Sequence, residues 1–330
     1  MKLSQLLATL PNLATFPDCP NLDQEVTGLC TNSHKIKPGE LFIGMPGTRV
    51  DGGEFWESAV AGGAIAALAT PKALAKFPPK PSDCVIAVPD VVNACAIVAT
   101  AFYGTPTEQI NLIGVTGTNG KTTTTHLIEF FLQQTQHPTA LLGTLYTRWP
   151  GFEEVATHTT PFATELQRQL GDAVKAGINY GVMEVSSHGL VQGRVKGCQF
   201  KAAIFTNLTQ DHLDYHKDME DYFNAKALSF SPDYLTEKAI INHDDAYGKR
   251  LQERLNPEQV WTYSVQDTSA DFYTTDLTYN ATGVSGVLQT PQGAVPFNSP
   301  LVGQFNLSNL LAAVASVAHF GLDLTAVISY

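Results

Sequence analysis

The segment GVTGTNGKT, from Gly114 to Thr122, combines glycines with a Lys-Thr pair in an order suited to phosphate binding. Glycines let the backbone turn so that successive N–H groups face an anion, and the start of a helix adds its positive dipole end. The Lys121 ammonium can hold the outer phosphates of a nucleotide, and the Thr122 hydroxyl can ligate Mg²⁺. The match to G-x-x-x-x-G-K-[ST] is imperfect, because Val115 stands where the pattern has glycine. The segment follows a strand pattern and opens a helix pattern, so we predict an ATP phosphate loop.

Side chains suited to metal binding follow two later apolar runs. Glu184 lies in YGVMEV (180–185), where a buried carboxylate is costly unless it pairs with a cation or binds a metal. We therefore expect it to ligate Mg²⁺ or to form a salt bridge with a helix. His212 could complete the metal shell or serve as a capping or structural histidine, because Mg²⁺ prefers oxygen ligands. His216 could share a helical face with His212 as a zinc pair, although no third ligand is marked. The nearby aspartates are expected to be caps and solvated turns: Asp211, Asp214, Asp244 and Asp245.

Alternating strand and helix patterns from Ile110 onward must position these residues. This alternation predicts an α/β fold with a doubly wound, mostly parallel sheet. In such a sheet, ligands bind beyond the carboxyl ends of the strands. The predicted strands are 111–115, 140–142, 180–185, 202–206 and 239–242, the predicted helices are 122–134, 164–176, 219–229 and 306–319, and hairpin-like alternation runs through 262–297.

The pattern before residue 106 differs, so we predict two domains, 1–105 and 106–330. The opening MKLSQLLATL predicts an amphipathic N-terminal helix rather than a signal peptide, because Pro11 and Asn12 interrupt the apolar run. The Pro- and Lys-rich stretch 72–82 is predicted to be a surface loop. A strand at 84–88 and a helix at 91–103 are predicted to follow it.

The composition argues against several classes of function. The 330 residues include 20 basic and 31 acidic side chains, a formal net charge of −11, which argues against a general nucleic-acid binder. No run is long and apolar enough to span a bilayer. The five cysteines show no C-x-x-C spacing, so a disulfide framework or a cysteine zinc site is not expected, and a reducing cytoplasm is the simpler interpretation.

Several motifs in order resemble the Mur ligase family over nearly the whole chain. They are GVTGTNGKTT (114–123), MEVSSHGLVQGRV (183–195), FTNLTQDHLDYH (205–216), the helix around Lys226 and GQFNLSNLLAA (303–313). The N-terminal segment 31–42, with Gly47 and Asp51-Gly52, resembles the UDP-binding domain of the members that add the third stem-peptide residue of peptidoglycan. The resemblance implies a small UDP-binding α/β domain followed by a central ATP-binding domain.

The resemblance also implies a reaction. ATP would phosphorylate the carboxylate of UDP-N-acetylmuramoyl-L-Ala-D-Glu (UDP-MurNAc-L-Ala-D-Glu), and a free amino acid, meso-diaminopimelate or L-lysine, would attack the acyl phosphate. Such a transfer depends on alignment and charge neutralisation. We expect a cytoplasmic monomer that binds neither nucleic acid nor membrane.

The resemblance implies a role for each residue of this chain that matches a residue of the family's motifs. Catalytic roles fall to Lys121, Glu184, His212 and Lys226, and Mg²⁺ would be held by Thr122, Glu184, His212 and a carbamate formed from CO₂ on Lys226. Without the resemblance, Lys226 would be an ordinary solvated helix lysine. The nucleotide would be bound by Gly117, Thr118, Asn119, Gly120, Lys121, Thr122, Thr123, Asn306 and Asn309, although the last two could instead cap the final helix. The UDP substrate would be bound by Thr31, Ser33, Thr48, Arg49, Val50, His158, Thr159, Thr160, Ser186, Gln192 and Arg194.

Some of these substrate positions keep a second interpretation. Arg194 could pair with an anionic substrate group or with a surface carboxylate. Thr159 and Thr160 could form a plain turn and helix start. Asn32-Ser33-His34 replaces the Asp-Ser-Arg of many members, and His158 is a second departure from the family pattern.

Two other functions are alternatives to this ligase. Folylpolyglutamate synthetase shares a similar phosphate loop, but the long N-terminal domain and SSHGLVQGR argue against it. A nucleotide-binding protein without ligase activity is the other alternative. The family has a third, Rossmann-like domain for the incoming amino acid, and the sequence shows no segment for it. We therefore expect the 330-residue chain alone to bind its ligands without forming the amide bond.

Overall fold

The computed structural model describes residues 1–11, 19–47, 49–80 and 82–328. The chain divides into two compact units. The N-terminal unit consists of Met1–Pro106 with the short segments Phe162–Gly171 and Gln192–Gly197, and the central unit contains the rest.

The N-terminal unit is built on a four-stranded parallel sheet in the order β1-β2-β3-β4. Its strands are β1 (Gly28–Cys30), β2 (Glu40–Ile43), β3 (Ala66–Ala69) and β4 (Val85–Ala87), and its helices are α1 (Leu3–Leu7), α2 (Trp56–Ala61), α3 (Pro71–Lys76) and α4 (Val91–Phe102). A buried cluster that includes Leu3, Leu41, Leu68 and Val98 forms one core of this unit.

The surface loop predicted for 72–82 is wrong over its first part, because α3 occupies Pro71–Lys76. Thr70 is its N-cap, with a side-chain oxygen that accepts from the Ala73 N–H at 3.1 Å, and Pro71 takes the first turn. Both are favourable helix starts. In the sequence-based prediction, the prolines later in the stretch 72–82 outweighed these helix-start signals.

The expectation that the cysteines form no disulfide is also wrong. Cys19 and Cys84, 65 positions apart, are joined by a disulfide with a Cα–Cα distance of 5.0 Å. The fold brings this pair together beside β4, and linear spacing carries no sign of it. Cys30, Cys95 and Cys198 are free thiols, and burial raises the pKa of Cys95 and of Cys198 to about 12.

The central unit is built on an eleven-stranded sheet, ordered β15-β14-β13-β12-β11-β10-β5-β9-β6-β7-β8. Its strands are β5 (Asn111–Thr116), β6 (Thr139–Leu142), β7 (Tyr146–Trp149), β8 (Phe152–Val155), β9 (Tyr180–Glu184), β10 (Phe200–Phe205), β11 (Leu235–Asn242), β12 (Val260–Ser264), β13 (Phe272–Asn280), β14 (Gly283–Thr290) and β15 (Gly293–Ser299). The seven neighbouring strands β13-β12-β11-β10-β5-β9-β6 pair in parallel, and antiparallel strands close both edges. The predicted doubly wound, mostly parallel sheet is confirmed.

Seven α-helices follow β5 in the described part of the chain, and six of them accompany this sheet, because most of the segment Ala163–Lys175 belongs to the N-terminal unit. They are α5 (Lys121–Gln134), α6 (Ala163–Lys175), α7 (Ser187–Val191), α8 (Met219–Ala227), α9 (Ala246–Gln252), α10 (Gln304–His319) and α11 (Leu324–Ile328). The largest core cluster packs α5 and α10 against the central strands through residues such as Ile128, Leu311 and Val115. Over residues 1–11, 19–47, 49–80 and 82–328, none of the helices has the length and apolarity to cross a membrane.

The order of the strands fixes where a ligand can bind. From β5 the chain reaches β6 on one side, returns to β9 beside β5, and then passes to β10 on the other side. The residues after β5, β9 and β10 therefore meet at a topological switch point, where open α/β sheets bind ligands.

Candidate active site

The phosphate loop joins β5 to α5 as predicted. Gly120 is the N-cap of α5 with φ +87°, and Gly117 has φ +148°, so both backbone positions favour glycine. A Cβ on Gly117 would also lie 1.9 Å from Oγ1 of Thr206. The Thr124 N–H donates to the Gly120 carbonyl as the first helical bond. The N–H groups of residues 121–123 precede that bond and are positioned to receive phosphate oxygens.

Two lysines converge on this loop. Nζ of Lys121 donates to the carbonyls of Gly117 and Thr118 at 2.8 and 2.9 Å, and Nζ of Lys226 donates to the same Gly117 carbonyl at 2.8 Å. Burial lowers the pKa of Lys121, partly opposed by Glu184 and Asp211. Burial and the Lys121 charge together hold the pKa of Lys226 well below its usual range. Lys226 is 1% exposed, so the solvated-lysine interpretation is wrong.

Glu184 is a buried carboxylate held by hydroxyl and amide donors. The Thr122 hydroxyl donates to its Oε1 at 2.9 Å, and Thr144 donates its N–H to Oε1 at 2.9 Å and its hydroxyl to Oε2 at 3.0 Å. The described residues place no cation in an ion pair with Glu184, so the predicted helix salt bridge is absent. A carboxylate with a phosphate-loop hydroxyl beside it fits a hard cation.

Sequence reasoning missed Thr144. It lies two residues after the end of β6, and its Oγ1 also lies 3.1 Å from Oγ1 of Thr159, a predicted substrate residue. Thr144 therefore links the carboxylate of Glu184 to Thr159. Its position at the end of an apolar run was the signal that could have identified it.

His212 and His216 do not share a helical face. They lie in a turn before α8, and His212 has φ +53°. The His212 ring lies 5.0 Å from that of His188 and 6.0 Å from that of Tyr222. His216 is buried, with Nε2 2.9 Å from Oγ of Ser187 and its ring stacked 4.8 Å from Tyr222, and burial lowers its pKa. These contacts make His216 a structural residue rather than half of a zinc pair.

The region from Met1 to Ile328, its undescribed gaps aside, contains no group of three His, Cys, Asp or Glu side chains arranged around one metal position. A Mg²⁺ site here would draw on the Thr122 hydroxyl, Glu184 and phosphate oxygens. His212 does not contact Glu184 in this arrangement, since its nearest described partners are aromatic rings and Asp211.

A cavity of about 600 Å³ opens beside the phosphate loop. Asn309 lines it, is 8% exposed, and places its Oδ1 3.4 Å from Oγ1 of Thr124. A Cβ on Gly120 would meet that Oδ1 at 2.3 Å, so the asparagine packs directly on the loop. Asn306 instead donates to the carbonyl of Val302 at 2.9 Å. The N-cap of α10 is Gly303, and no side chain caps the helix, so the capping alternative is wrong for both asparagines.

Three predicted substrate residues of the central unit lie near the end of β9. The Thr160 hydroxyl donates to the Glu184 carbonyl at 3.0 Å and lies 3.1 Å from Oγ of Ser186. Thr160 is fully buried, so its hydroxyl orients Ser186, while Ser186 and Thr159 are partly exposed. His158 is exposed and its Nδ1 lies 3.1 Å from Oγ1 of Thr157.

The N-terminal unit carries a second set of predicted substrate residues. Thr31 and Ser33 follow β1 and are half-buried. Oδ1 of Asn32 accepts from the His34 N–H at 3.0 Å, a turn that aspartate would form equally well, which explains why Asn is tolerated there. Arg49 and Val50 line a cavity of about 420 Å³ together with Lys72 and Lys76 from α3 and with Asp51 and Glu54. Thr48 lies outside the described residues.

Gln192 and Arg194 also belong to the N-terminal unit. Arg194 donates through Nε and Nη2 to Oε1 of Gln192 at 2.9 and 2.7 Å, and its guanidinium lies 4.2 Å from the Phe162 ring. The pairing holds the guanidinium in one orientation. A fixed guanidinium of this kind is suited to an anionic group.

Comparisons with known proteins agree with this geometry. Residues 115–317 match the Mur ligase middle domain, and residues 25–103 match the Mur ligase family catalytic domain. The chain is 63% identical over 98% of its length to a UDP-N-acetylmuramoyl-L-alanyl-D-glutamate–2,6-diaminopimelate ligase of Trichormus variabilis, and 62% identical over 99% to the enzyme of that name from Synechocystis sp.. It spans 65% and 66% of those two relatives.

A solved structure of a UDP-N-acetylmuramoyl-L-alanyl-D-glutamate–2,6-diaminopimelate ligase has a TM-score of 0.84 with this chain, at 32% identity, and the match covers 100% of this chain and 66% of that one. The sequence and structural matches extend over both units. The chain belongs to the Mur ligase family.

Proposed function

We propose that this protein takes part in ATP-dependent ligation of an amino acid, 2,6-diaminopimelate, to UDP-MurNAc-L-Ala-D-Glu. The observation that carries the proposal is the buried Glu184 carboxylate bonded to the Thr122 hydroxyl at a phosphate loop. The relatives' names supply the substrate, and meso-diaminopimelate is preferred over L-lysine for that reason.

The chain's own residues account for the nucleotide half of this reaction. N–H groups at the start of α5 and the Lys121 ammonium would bind the β- and γ-phosphates of ATP. Thr122 and Glu184 would hold Mg²⁺, which neutralises phosphate charge when it is bound. Thr144 would keep Glu184 oriented toward Thr122. The acyl phosphate would form where the substrate carboxylate meets the γ-phosphate, and the amine would then displace phosphate.

We further propose that Lys226 carries a carbamate. The buried, neutral amine favoured by the lowered pKa of Lys226 would attack CO₂. A nitrogen–carbon bond forms, the electron pair of one C=O bond moves to oxygen, and one proton leaves the nitrogen. The resulting anion would offset the Lys121 charge and provide oxygen ligands for a second Mg²⁺.

The N-terminal unit would bind the uridine diphosphate end of the substrate through Ser33 and the Thr48–Val50 loop. Arg49, with Lys72 and Lys76 around the same cavity, supplies positive charge for phosphate groups. We propose that the protein acts in the cytoplasm, because ATP and UDP-linked substrates would be available in that compartment. We also propose that it is a monomer.

Calorimetry of MgATP binding to the whole chain tests the proposal. Lys121→Ala removes a charged contact and should weaken binding by about tenfold or more, in line with roughly 1.5–3 kcal/mol. Exposed Lys175 provides the matched control, and Lys175→Ala should bind as the wild type does. Unchanged affinity in Lys121→Ala would remove the loop from the nucleotide site. Binding of a folate, but not of UDP-MurNAc-L-Ala-D-Glu, would favour the folylpolyglutamate alternative.

A further inference from the structure

Tyr222 is a fully buried tyrosine on α8, four residues before Lys226. Residues four apart lie on the same face of a helix. Nζ of Lys226 lies 4.6 Å from the centre of the Tyr222 ring, and the His216 ring stacks on it at 4.8 Å. The ring is therefore fixed by packing, and the position of its hydroxyl is fixed with it.

The Tyr222 hydroxyl reaches the phosphate loop. Its oxygen lies 3.3 Å from Oγ1 of Thr118, across 104 positions of the sequence. A buried phenol without a hydrogen bond would destabilise the fold, so this contact accounts for a tyrosine rather than a phenylalanine at this position. The helix α8 thus contacts the loop at two residues, at Thr118 through Tyr222 and at Gly117 through Lys226.

The direction of this hydrogen bond follows from the other bonds of the Thr118 hydroxyl. A hydroxyl has one proton to donate and two lone pairs that accept. Thr118 donates to the Thr209 carbonyl at 3.2 Å and accepts from the Thr209 N–H at 3.0 Å. The remaining lone pair accepts from Tyr222, which is therefore the donor. The Thr118 hydroxyl then has no hydrogen-bonding capacity left for a ligand.

The backbone of Thr118 is also engaged within the protein. Its N–H donates to the Asn207 carbonyl at 2.9 Å, and its carbonyl accepts from Nζ of Lys121 at 2.9 Å. Thr118 therefore joins the turn after β10, the helix α8 and the phosphate lysine. A residue whose polar groups all have partners in this way is suited to fix the shape of the loop.

We propose that Tyr222 is a positioning residue that holds the phosphate loop, through the Thr118 hydroxyl, in the shape that receives the nucleotide phosphates. This inference rests on the proposed nucleotide binding at the loop. A loop that is already ordered binds its ligand without a further loss of conformational entropy. The hydrogen bond should therefore increase nucleotide affinity, although the buried tyrosine would not contact the nucleotide itself.

The test removes one hydroxyl at a time and measures MgATP affinity by calorimetry on the whole chain. Tyr222→Phe keeps the ring against Lys226 and His216 and deletes only the bond to Thr118. This variant should bind MgATP about threefold to tenfold more weakly, the range expected for one hydrogen bond between uncharged groups. Thr118→Val removes the acceptor and should weaken MgATP binding at least as much.

A double-mutant cycle separates positioning from a general loss of stability. If Tyr222 acts through Thr118, Tyr222→Phe should cause less than about a twofold further loss of affinity in the Thr118→Val background. Tyr247→Phe is the matched control, because it deletes a tyrosine hydroxyl on α9, where the ring packs against Phe223 and Arg250. The control should bind MgATP as the wild type does. Titrations well below the melting temperature of each variant keep stability out of the comparison.

The outcomes distinguish this inference from the nucleotide site on which it rests. Equal MgATP affinity in the wild type and in Tyr222→Phe overturns the positioning role. A full second loss when Tyr222→Phe is added to Thr118→Val also overturns it, because the Tyr222 hydroxyl would then act elsewhere. Both results leave the nucleotide site standing, whereas a wild type that does not bind MgATP overturns the site and the positioning role together.

Discussion

Nζ of Lys121 and Nζ of Lys226 both donate to the carbonyl oxygen of Gly117, each at 2.8 Å. Two ammonium groups sharing one acceptor repel each other, and burial strengthens that repulsion. Lys226 is the more deeply buried and also lies 4.6 Å from the Tyr222 ring. Its pKa is the one held well below the usual range, so we expect Lys121 to stay cationic and Lys226 to be neutral.

A neutral Lys226 should react with CO₂. We expect the protein incubated with ¹³C-bicarbonate to show a carbamate carbon signal in its NMR spectrum. Lys226→Met should abolish the signal, and Lys175→Met, at an exposed lysine, should retain it. A wild-type spectrum without that signal would show that Lys226 remains a free amine.

The same amine predicts a pH dependence of stability. The pKa of Lys226 is lowered in the folded protein from about 10.4 in the unfolded chain, so the unfolded state binds more protons between these values. The stability of the wild type relative to Lys226→Met should therefore rise with pH between the folded pKa and about 10.4, and should be constant below and above that window. Urea unfolding in CO₂-free buffer measures this difference. A difference that stays constant with pH would mean that Lys226 keeps an ordinary pKa.

Thr144 should control metal affinity through Glu184. Thr144→Val keeps the N–H bond but loses the hydroxyl bond to Oε2, which should weaken the Mg²⁺ dependence of ATP binding. Hydrogen bonds to a charged group contribute about 1.5–3 kcal/mol, so a tenfold higher Mg²⁺ requirement is expected. Thr144→Ser should behave as the wild type does. If Thr144→Val leaves the Mg²⁺ titration unchanged, Thr144 has no orienting role.

The Cys19–Cys84 disulfide should stabilise the N-terminal unit. The two cysteines are 65 positions apart, and a disulfide closing a loop of this size contributes roughly 2–4 kcal/mol. We expect Cys84→Ser, or a reductant, to lower the free energy of unfolding measured in urea by that amount, whereas Cys30→Ser, at a free thiol, should not. In a reducing cytoplasm the bond would be open to reduction. Equal midpoints with and without reductant would show that the bond contributes nothing.

The sequence predicted the central unit well because its signals are local. The glycines and lysine of residues 114–122 fix a strand–loop–helix turn, and the strand run before them sets the sheet. The contacts that complete the site are not local. Thr144 meets Glu184 across 40 positions, and Lys226 meets Gly117 across 109. Sequence spacing cannot reveal such pairs, and the same limit hid Cys19–Cys84.

Exposure was the other property that residue type could not show. Phe305 sits in an apolar helix pattern and would be taken for a core residue, yet its ring is exposed. Lys226 would be taken for a surface residue, yet it is buried. In both cases the fold reverses the ordinary preference of the residue, and the reversal at Lys226 falls at the phosphate loop.

Trapping the acyl phosphate tests the central claim most directly. The whole chain is incubated with MgATP, UDP-MurNAc-L-Ala-D-Glu and hydroxylamine, which converts an acyl phosphate to a hydroxamate without the amino acid substrate. The account predicts a hydroxamate of the UDP-linked dipeptide, dependent on ATP and lost in Lys121→Ala. Absence of hydroxamate from a wild type that binds both ligands, or equal yield in Lys121→Ala, would contradict it.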